Sequence, residues 1–405
     1  MTAAIIIAFC SLLLIAYLFD LSAAKTKIPS VILLLILGFV VKKATEFMGI
    51  EIPDLSGALA VLATIGLVLI VLEGSLELEI DRSKLSLVSK SFVGALLSIL
   101  ILSFAFALIF QYVSNQPLKV LLINAIPLSI ISSAIAIPSV KNLGAANREF
   151  VTYESSLSDI IGVLFFNFIL RNTVFGFDQF AEFGLSIVFM TVISLIATIA
   201  LSIFLSKINH HIKFAPIILL VILIYEISKV YHLPALLFIL LFGLALGNIE
   251  QLKNRKFFSR FKPDELHREV KKFKELAVEA TFIIRVLFFL LFGYLLEAED
   301  VLNTESLVWS VGIVVTIFTL RVFQIWLSRL PIMPLLFVAP RGLITILLFI
   351  SISPVQTLWV VNRSLITQVI ILTSLIMMVG LMAAKRKDDA KKPLVENDEN
   401  GKMLF

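Results

Sequence analysis

Residues 56–78 read SGALAVLATIGLVLIVLEGSLEL, a run of 23 residues in which Glu73 and Glu77 are the only charged side chains. A helix needs about 20 mainly apolar residues to cross a hydrocarbon core of about 30 Å. The run lacks the alternation of apolar and polar residues that is typical of a membrane β-barrel strand. This stretch therefore predicts a transmembrane α-helix.

The same pattern recurs along the whole chain. Of its 405 residues, 59% are hydrophobic and 16% charged, and the mean hydropathy is +1.03, which water-soluble domains do not reach. An all-α polytopic membrane protein follows. Thirteen spans are predicted, separated by short polar connectors: 3–19, 28–42, 56–78, 87–113, 118–141, 150–172, 181–206, 213–230, 234–248, 274–297, 305–327, 332–353 and 364–384.

The positions of the basic residues predict the orientation of these spans. With the N-terminus outside and the C-terminus cytoplasmic, 25 of the 34 Lys and Arg residues fall inside, six fall outside and three lie within spans. Such a bias is the positive-inside signal of a multi-pass protein. We therefore expect a protein of the cell (inner) membrane with this orientation.

Two segments lie outside the transmembrane domain, which is predicted to cover residues 1–384. Residues 249–274 are rich in Lys and Arg and predict a cytoplasmic linker on the membrane surface. Its expected partner is membrane lipid and not nucleic acid. Residues 385–405 are polar and predict a disordered cytoplasmic tail.

Charged residues inside spans mark candidate sites, because a charge at the bilayer centre costs at least about 2.5 kcal/mol. Asp159 is 11 residues from Arg148 and 12 residues from Arg171, and these two arginines mark the ends of its span. At about 1.5 Å per residue, Asp159 is expected about 16 Å from either boundary. Transporters bind their substrates near this depth.

The neighbours of Asp159 suggest a cation site. Ser155 lies four residues earlier and therefore on the same helix face. A carboxylate and a hydroxyl supply hard oxygen ligands, so Asp159 and Ser155 are predicted to bind a monovalent metal cation. Glu154 is about 140° away around a helix with 3.6 residues per turn and is expected to pair with an arginine instead.

The charge count supports a separate role for Asp159. If Glu154 and Glu73 form structural ion pairs with the central arginines Arg285 and Arg341, Asp159 has no fixed counter-charge. An unpaired buried carboxylate holds a proton until a cation displaces it. One carboxylate that exchanges one cation for one proton predicts electroneutral exchange.

A simpler interpretation treats Asp159 as a third member of a buried salt-bridge network. Arg321 is not counted with the central arginines. It lies eight residues before Arg329, and its side chain is expected to reach the inner surface.

Two spans are predicted to be interrupted, because proline removes a helix hydrogen bond. The fifth contains Pro127 and Pro138 around a polar run, and the twelfth contains three prolines just before Arg341. Their corresponding places predict an inverted repeat with crossed discontinuous helices. Repeat one would cover about 1–172 and repeat two about 213–384, with a linking span at 181–206.

Five motifs in order resemble the cation/proton antiporter superfamily. Most resemble its NhaP-like sodium/proton exchanger branch, which has the motif Glu-Ser-Leu-Phe-Asn-Asp in its sixth span. The similar stretches are Leu72–Leu78, Ser132–Ala145, Glu154–Asp159, Phe282–Phe289 and Pro340–Leu343.

The resemblance implies an inverted-repeat, NhaA-like antiporter fold, usually in a homodimer, that needs no cofactor and is not an enzyme. It implies that Asp159 and Ser155 bind the ion and that Glu154 pairs with Arg341. Ser158 stands where the branch has Asn, and the uncharged Ser132 and Ser133 stand in place of its Thr-Asp-Pro. These three serines are included in the predicted ion- and proton-binding site.

The function predicted from these observations is exchange of a monovalent cation, most simply Na⁺, for H⁺. The uncharged Ile131-Ser132-Ser133 of the fifth span is closer to the Kef-like branch, so a K⁺/H⁺ antiporter or K⁺ efflux system is the main alternative. An intramembrane protease would need a second membrane aspartate. Intact Asp159 and Ser155 argue against a sensor without transport activity, and a carboxylate near the midplane favours ion-coupled transport over a channel.

Overall fold

The computed structural model describes residues 2–26, 28–50, 53–78, 84–141, 143–172, 176–207, 214–231, 233, 235–248 and 263–391. Regular structure in these residues is helical throughout. In chain order the helices are α1 (Thr2–Thr26), α2 (Ser30–Phe47), α3 (Ser56–Glu77), α4 (Leu85–Val113), α5 (Leu118–Ser129), α6 (Ser133–Ser139), α7 (Ala145–Arg171), α8 (Phe177–Lys207), α9 (Phe214–Val230), α10 (Ala235–Gly247), α11 (Pro263–Leu295), α12 (Ala298–Leu302), α13 (Thr304–Leu327), α14 (Ile332–Leu335), α15 (Leu343–Ile350) and α16 (Arg363–Lys391), with a 3₁₀ turn at Pro354–Gln356.

Each predicted span coincides with a helix or with two helices separated by a break. Within the described ranges, nine helical segments are long and apolar enough to cross a membrane. The other predicted spans are α2, which carries three charges near its end, the short helices α9 and α10, and the broken pair α14–α15. The predicted class, an all-α polytopic membrane protein, is confirmed.

Parts of the predicted linker and tail cannot be compared with the structure. Residues 249–262 of the linker and 392–405 of the tail lie outside the described residues. The linker's remaining residues, 263–274, form the first turns of α11. Helix α16 continues to Lys391.

Both predicted interruptions are present, and they cross. Helix α5 ends at Ser129, extended backbone follows, and α6 begins at Ser133. The corresponding break separates α14 from α15. The amide of Ser132 donates a hydrogen bond of 2.9 Å to the carbonyl oxygen of Pro340, which joins the two breaks directly. Backbone groups freed by one break are thus satisfied by the other, as a buried non-helical segment requires.

Helix α7 carries the candidate residues past this crossing. It packs against α4, α5 and α6, and α4 also contacts α13. Glu154, Ser155, Ser158 and Asp159 are all buried on α7. The sequence that was singled out for its chemistry therefore lies at the centre of the helix bundle.

Candidate cation site at the helix crossing

Asp159 is held from one side only. Its Oδ2 accepts a hydrogen bond of 3.2 Å from the amide of Ser133 and a second from the Ser133 hydroxyl. Its Oδ1 is buried and has no hydrogen-bond partner. No salt bridge joins Asp159 to a basic side chain within the described part of the chain. The predicted carboxylate without a fixed counter-charge is therefore present.

The break after α5 places Ser133 at this carboxylate. Ser133 is the first residue of α6, where the backbone amides have no partner within the helix. One such amide is satisfied by the Asp159 carboxylate. A continuous fifth helix would use that amide internally, so the interruption creates the contact.

The other predicted site serines have different partners. Ser158 Oγ accepts the amide of Ile131 at 3.0 Å and so connects α7 to the extended segment. Ser155 Oγ donates 2.7 Å to the carbonyl of Val151 in its own helix, and its lone pairs remain available as ligands. Ser132 Oγ is buried without a hydrogen-bond partner.

Gly342 approaches Ser132 very closely at the crossing. A Cβ atom at position 342 would lie 2.7 Å from Ser132 Oγ and 2.7 Å from Cδ1 of Ile135. Real Cβ atoms essentially never make such contacts, so any larger residue at position 342 would displace the side chains of Ser132 and Ile135.

A cavity of about 770 Å³ reaches this site. Ser133 lines its inner end, and the wall includes residues of α1, α3, α7 and α11. Lys84, Lys141, Arg148 and Lys274 also line it, and all four belong to the connectors that the sequence analysis predicts to be cytoplasmic. Water and ions entering from that side come within one residue of the Asp159 carboxylate.

Glu154 forms its ion pair with Arg321, and the predicted pairing with Arg341 is wrong. The Arg321 guanidinium donates from one nitrogen to Oε1 and from the other to Oε2 at 2.7 Å, a bidentate contact. Gln324 Nε2 donates to the same Oε1 at 2.6 Å. All three side chains are buried.

The prediction that the Arg321 side chain reaches the inner surface is therefore wrong. Cα–Cβ bonds tilt toward the N-terminus of a helix. In α13 that direction leads away from Arg329 and into the bundle, where Arg321 meets Glu154. The spacing of Arg321 and Gln324, three residues apart in an apolar helix, was the signal that could have identified this polar face.

Arg341 instead supports the crossing. It is completely buried, and its Nε donates to the carbonyl of Leu128 at 2.8 Å. Other guanidinium nitrogens donate to the carbonyls of Ala339 at 2.8 Å and Ser129 at 3.5 Å. Leu128 and Ser129 are the last residues of α5, and Ala339 lies in the break between α14 and α15, so a single arginine satisfies carbonyls that the breaks leave without helical partners.

Glu73 and Arg285 do not form the predicted direct ion pair. No salt bridge joins these two described residues, although both line the 770 Å³ cavity and interact electrostatically. Both are half-buried, and because the cavity is open to solvent, neither charge needs a direct partner.

Asn124 is a further organising residue that the sequence analysis missed. Its Nδ2 donates to the carbonyl of Gln356 at 2.7 Å, and its Oδ1 accepts the amide of Leu358 at 3.1 Å. It thereby attaches the loop after α15 to α5. A single uncharged amide in an apolar span does not indicate which distant backbone groups it will bind.

Comparisons with known proteins agree with this fold. Residues 10–384 match the family model described as "Sodium/hydrogen exchanger, transmembrane". No curated protein matches the chain in a sequence search.

Solved structures of the sodium/proton antiporter MjNhaP1 from Methanocaldococcus jannaschii are similar in fold. A structure at pH 8 has 20% sequence identity and a TM-score of 0.66, and the match covers 94% of this chain and 96% of that one. An electron-microscopy structure has 19% identity and a TM-score of 0.66, with coverage of 98% and 99%. The chain is thus a multi-pass membrane protein that belongs to the sodium/hydrogen exchanger family of secondary transporters, which move cations and protons.

Proposed function

We propose that this protein exchanges Na⁺ for H⁺ one for one, and that Asp159 binds the two ions in turn. The observation that carries the proposal is the asymmetry of the Asp159 carboxylate. Ser133 donates twice to Oδ2, whereas Oδ1 is buried with no hydrogen-bond partner. A buried oxygen in this state is unfavourable unless a proton, a cation or a water molecule occupies it.

The neighbouring hydroxyl oxygens suit a small hard cation. Ser132 Oγ has no hydrogen-bond partner, and the lone pairs of Ser155 Oγ remain free because that hydroxyl acts as a donor. We assign both as candidate ligands beside Asp159, since Na⁺ and Li⁺ prefer oxygen donors. Ser158 has a positioning role, because its oxygen accepts the Ile131 amide.

Competition at one carboxylate accounts for exchange without any further carrier. Na⁺ binding expels the proton, and protonation expels Na⁺, so each ion leaves on the side where the other enters. One charge moves in each direction, and the cycle is electroneutral. Because Glu154 is neutralised by Arg321, it does not add a second proton carrier.

The cavity supports alternating access at this site. It opens toward Lys84, Lys141 and Arg148, the end assigned to the cytoplasm by the positive-inside pattern. We propose that this is an inward-facing state with the N-terminus outside, an orientation that rests on the positive-inside pattern of the sequence. A homodimer is proposed only from the family resemblance.

K⁺ is the second candidate cation, and one observation favours it. The fifth span has Ser132 and Ser133 at its break and no carboxylate, so the site carries less negative charge than an aspartate at this position would supply. A site with less negative charge gains less from a small cation such as Na⁺, and this favours the larger K⁺, which is held less strongly by oxygen ligands.

Proton flux into proteoliposomes, reported by a pH-sensitive dye, tests the function. Na⁺, K⁺ and Li⁺ are added in turn, with and without an imposed membrane potential. Na⁺-driven proton movement that does not depend on the potential supports the proposal. If only K⁺ drives proton movement, K⁺ and not Na⁺ is the substrate. If the rate of proton movement depends on the imposed membrane potential, one-for-one exchange is excluded.

A further inference from the structure

A second cavity, separate from the transport site, lies between α4 and α13. Its volume is about 430 Å³. The residues that line it fall on one face of each helix and are mostly apolar, among them Val93, Ile101 and Phe323. These three side chains are exposed on the surface of the bundle, so the groove opens sideways toward the surrounding bilayer.

Charge is confined to one end of this groove. Lys90 and Arg329 are the only charged residues among the described residues that line it. Both are exposed, and neither forms a salt bridge with another residue that the structure describes. The hydroxyls of Ser89 and Ser328 lie at the same end and add hydrogen-bond donors.

The groove has the dimensions of one lipid chain. Its α4 wall runs from Ser89 to Ile101, which corresponds to about 18 Å at about 1.5 Å per residue. This length is similar to the thickness of one leaflet, which is half of a hydrocarbon core of about 30 Å. Lys90 and Arg329 lie at the end that the charge distribution assigns to the cytoplasmic leaflet, where anionic lipids are concentrated.

The backbone at Arg329 has a conformation that is uncommon for a residue other than glycine. Arg329 has φ of +53°, in the left-handed region. Its amide donates to the carbonyl of Trp326, and the amide of Leu330 donates to that of Ile325, a Schellman ending of α13. Glycine is the usual residue at this position, so an arginine here adopts a less favourable backbone conformation.

We propose that this groove binds an anionic phospholipid, with the phosphate at Lys90 and Arg329 and one acyl chain along α4 and α13. Two unpaired cations complement the phosphate, and the apolar wall complements the chain. The floor of the groove is Gly94, where a Cβ atom would lie 3.0 Å from Gln324 Nε2 and 3.5 Å from Glu154 Oε1. The lipid chain would thus lie next to the buried pair of Glu154 and Arg321.

Native mass spectrometry of the full chain in detergent, titrated with dioleoyl phosphatidylglycerol, tests this site. We expect the Lys90→Gln/Arg329→Gln variant to retain the lipid roughly thirtyfold more weakly than wild type, because two contacts near a lipid surface contribute about 1 kcal/mol each. The matched control is Arg171→Gln/Lys229→Gln, which removes one Arg and one Lys from exposed positions in the last turns of α7 and α9, away from the groove and from the basic linker. This control should bind like wild type.

A second variant separates loss of lipid from loss of folding. Arg329→Gly removes the cation and also relieves the left-handed backbone. Its melting temperature in lipid-free detergent should equal or exceed that of wild type, whereas its stabilisation by phosphatidylglycerol should be smaller. Equal stabilisation of Arg329→Gly and wild type would overturn the proposal.

The choice of lipid distinguishes the possible ligands. Dioleoyl phosphatidylcholine, which has the same chains and no net charge, should be retained more weakly by wild type. Inorganic phosphate at equal concentration should not raise the melting temperature. Equal binding of the two lipids would show an apolar groove without headgroup recognition, and a response to phosphate would show an anion site instead. Either result contradicts the proposal.

Discussion

Ser133 and Asp159 are joined by two hydrogen bonds that end on the same carboxylate oxygen. The Ser133 amide donates 3.2 Å to Oδ2, the Ser133 hydroxyl donates to Oδ2 as well, and Oδ1 has no partner. This arrangement fixes the orientation of the carboxylate and leaves one oxygen for a proton or a cation. Because Ser133 also lines the large cavity, it connects the site to solvent.

Ser133→Ala tests the contribution of the hydroxyl while the backbone amide remains. Hydrogen bonds to charged groups contribute about 1.5–3 kcal/mol, so the ionised carboxylate should be disfavoured by a factor of roughly ten or more. We expect a higher KM for Na⁺ and a half-maximal rate that moves to higher pH in proteoliposomes. Ser133→Thr keeps the hydroxyl and should resemble wild type. An unchanged pH profile for Ser133→Ala would exclude this role.

Ser158→Ala should leave the amide of Ile131 without an acceptor. A buried unsatisfied donor costs about 1–3 kcal/mol, so the melting temperature should fall. Ser158→Asn retains a side-chain acceptor and should preserve both folding and exchange. If Ser158→Ala is as stable as wild type, the serine does not hold the extended segment as the structure indicates.

Arg321→Met should leave the Glu154 carboxylate buried without its counter-charge. Breaking one side of a buried ion pair costs about 3–5 kcal/mol. We expect a large loss of thermal stability in detergent, and partial recovery when Glu154→Gln is added, because the second change removes the stranded charge.

A double-mutant cycle decides which arginine is the partner of Glu154. The coupling energy of Glu154 with Arg321 should exceed about 2 kcal/mol, and that with Arg341 should be clearly smaller. The opposite order would restore the pairing with Arg341 that the family resemblance implies.

Gly342→Ala tests the close crossing of the two breaks. The new methyl group would lie 2.7 Å from Ser132 Oγ, so the Ser132 side chain must shift. Overpacking of this kind costs about 1–3 kcal/mol, and the displaced Ser132 should also weaken cation binding. Gly312→Ala is a matched control, because no atom lies within 4 Å of its Cβ position. Equal stability and transport for the two variants would contradict the predicted clash.

The sequence was sufficient for the spans and for the central carboxylate. Long apolar runs with few charges form membrane-spanning helices, and the positions of the prolines predicted both helix breaks. Asp159 could be placed by counting residues between charges, since helix rise is constant. The argument for its missing counter-charge paired Glu154 and Glu73 with Arg341 and Arg285, and neither ion pair is present among the described residues, although Asp159 does lack a salt bridge there.

The ion-pair partners could not be derived in the same way. Glu154, Arg321 and Arg341 lie on three different segments, and nothing in their spacing shows which arginine faces Glu154. Depth estimates treated Arg321 as a surface residue because they ignored the direction of its Cα–Cβ bond. Arg341 was assigned to a carboxylate because the free carbonyls of Leu128 and Ala339 exist only after the helices break.

The most direct test of the central claim is proton release on cation binding. Purified protein in weakly buffered detergent solution is titrated with NaCl while the pH is recorded, with choline chloride as the control for ionic strength. We expect the wild type to release up to one proton per chain. The Asp159→Asn variant should release none, and it should melt at a temperature similar to that of the wild type, which shows that it is folded. Equal release from Asp159→Asn, or Na⁺ binding to wild type with no proton released at any pH, would contradict exchange of the two ions at Asp159.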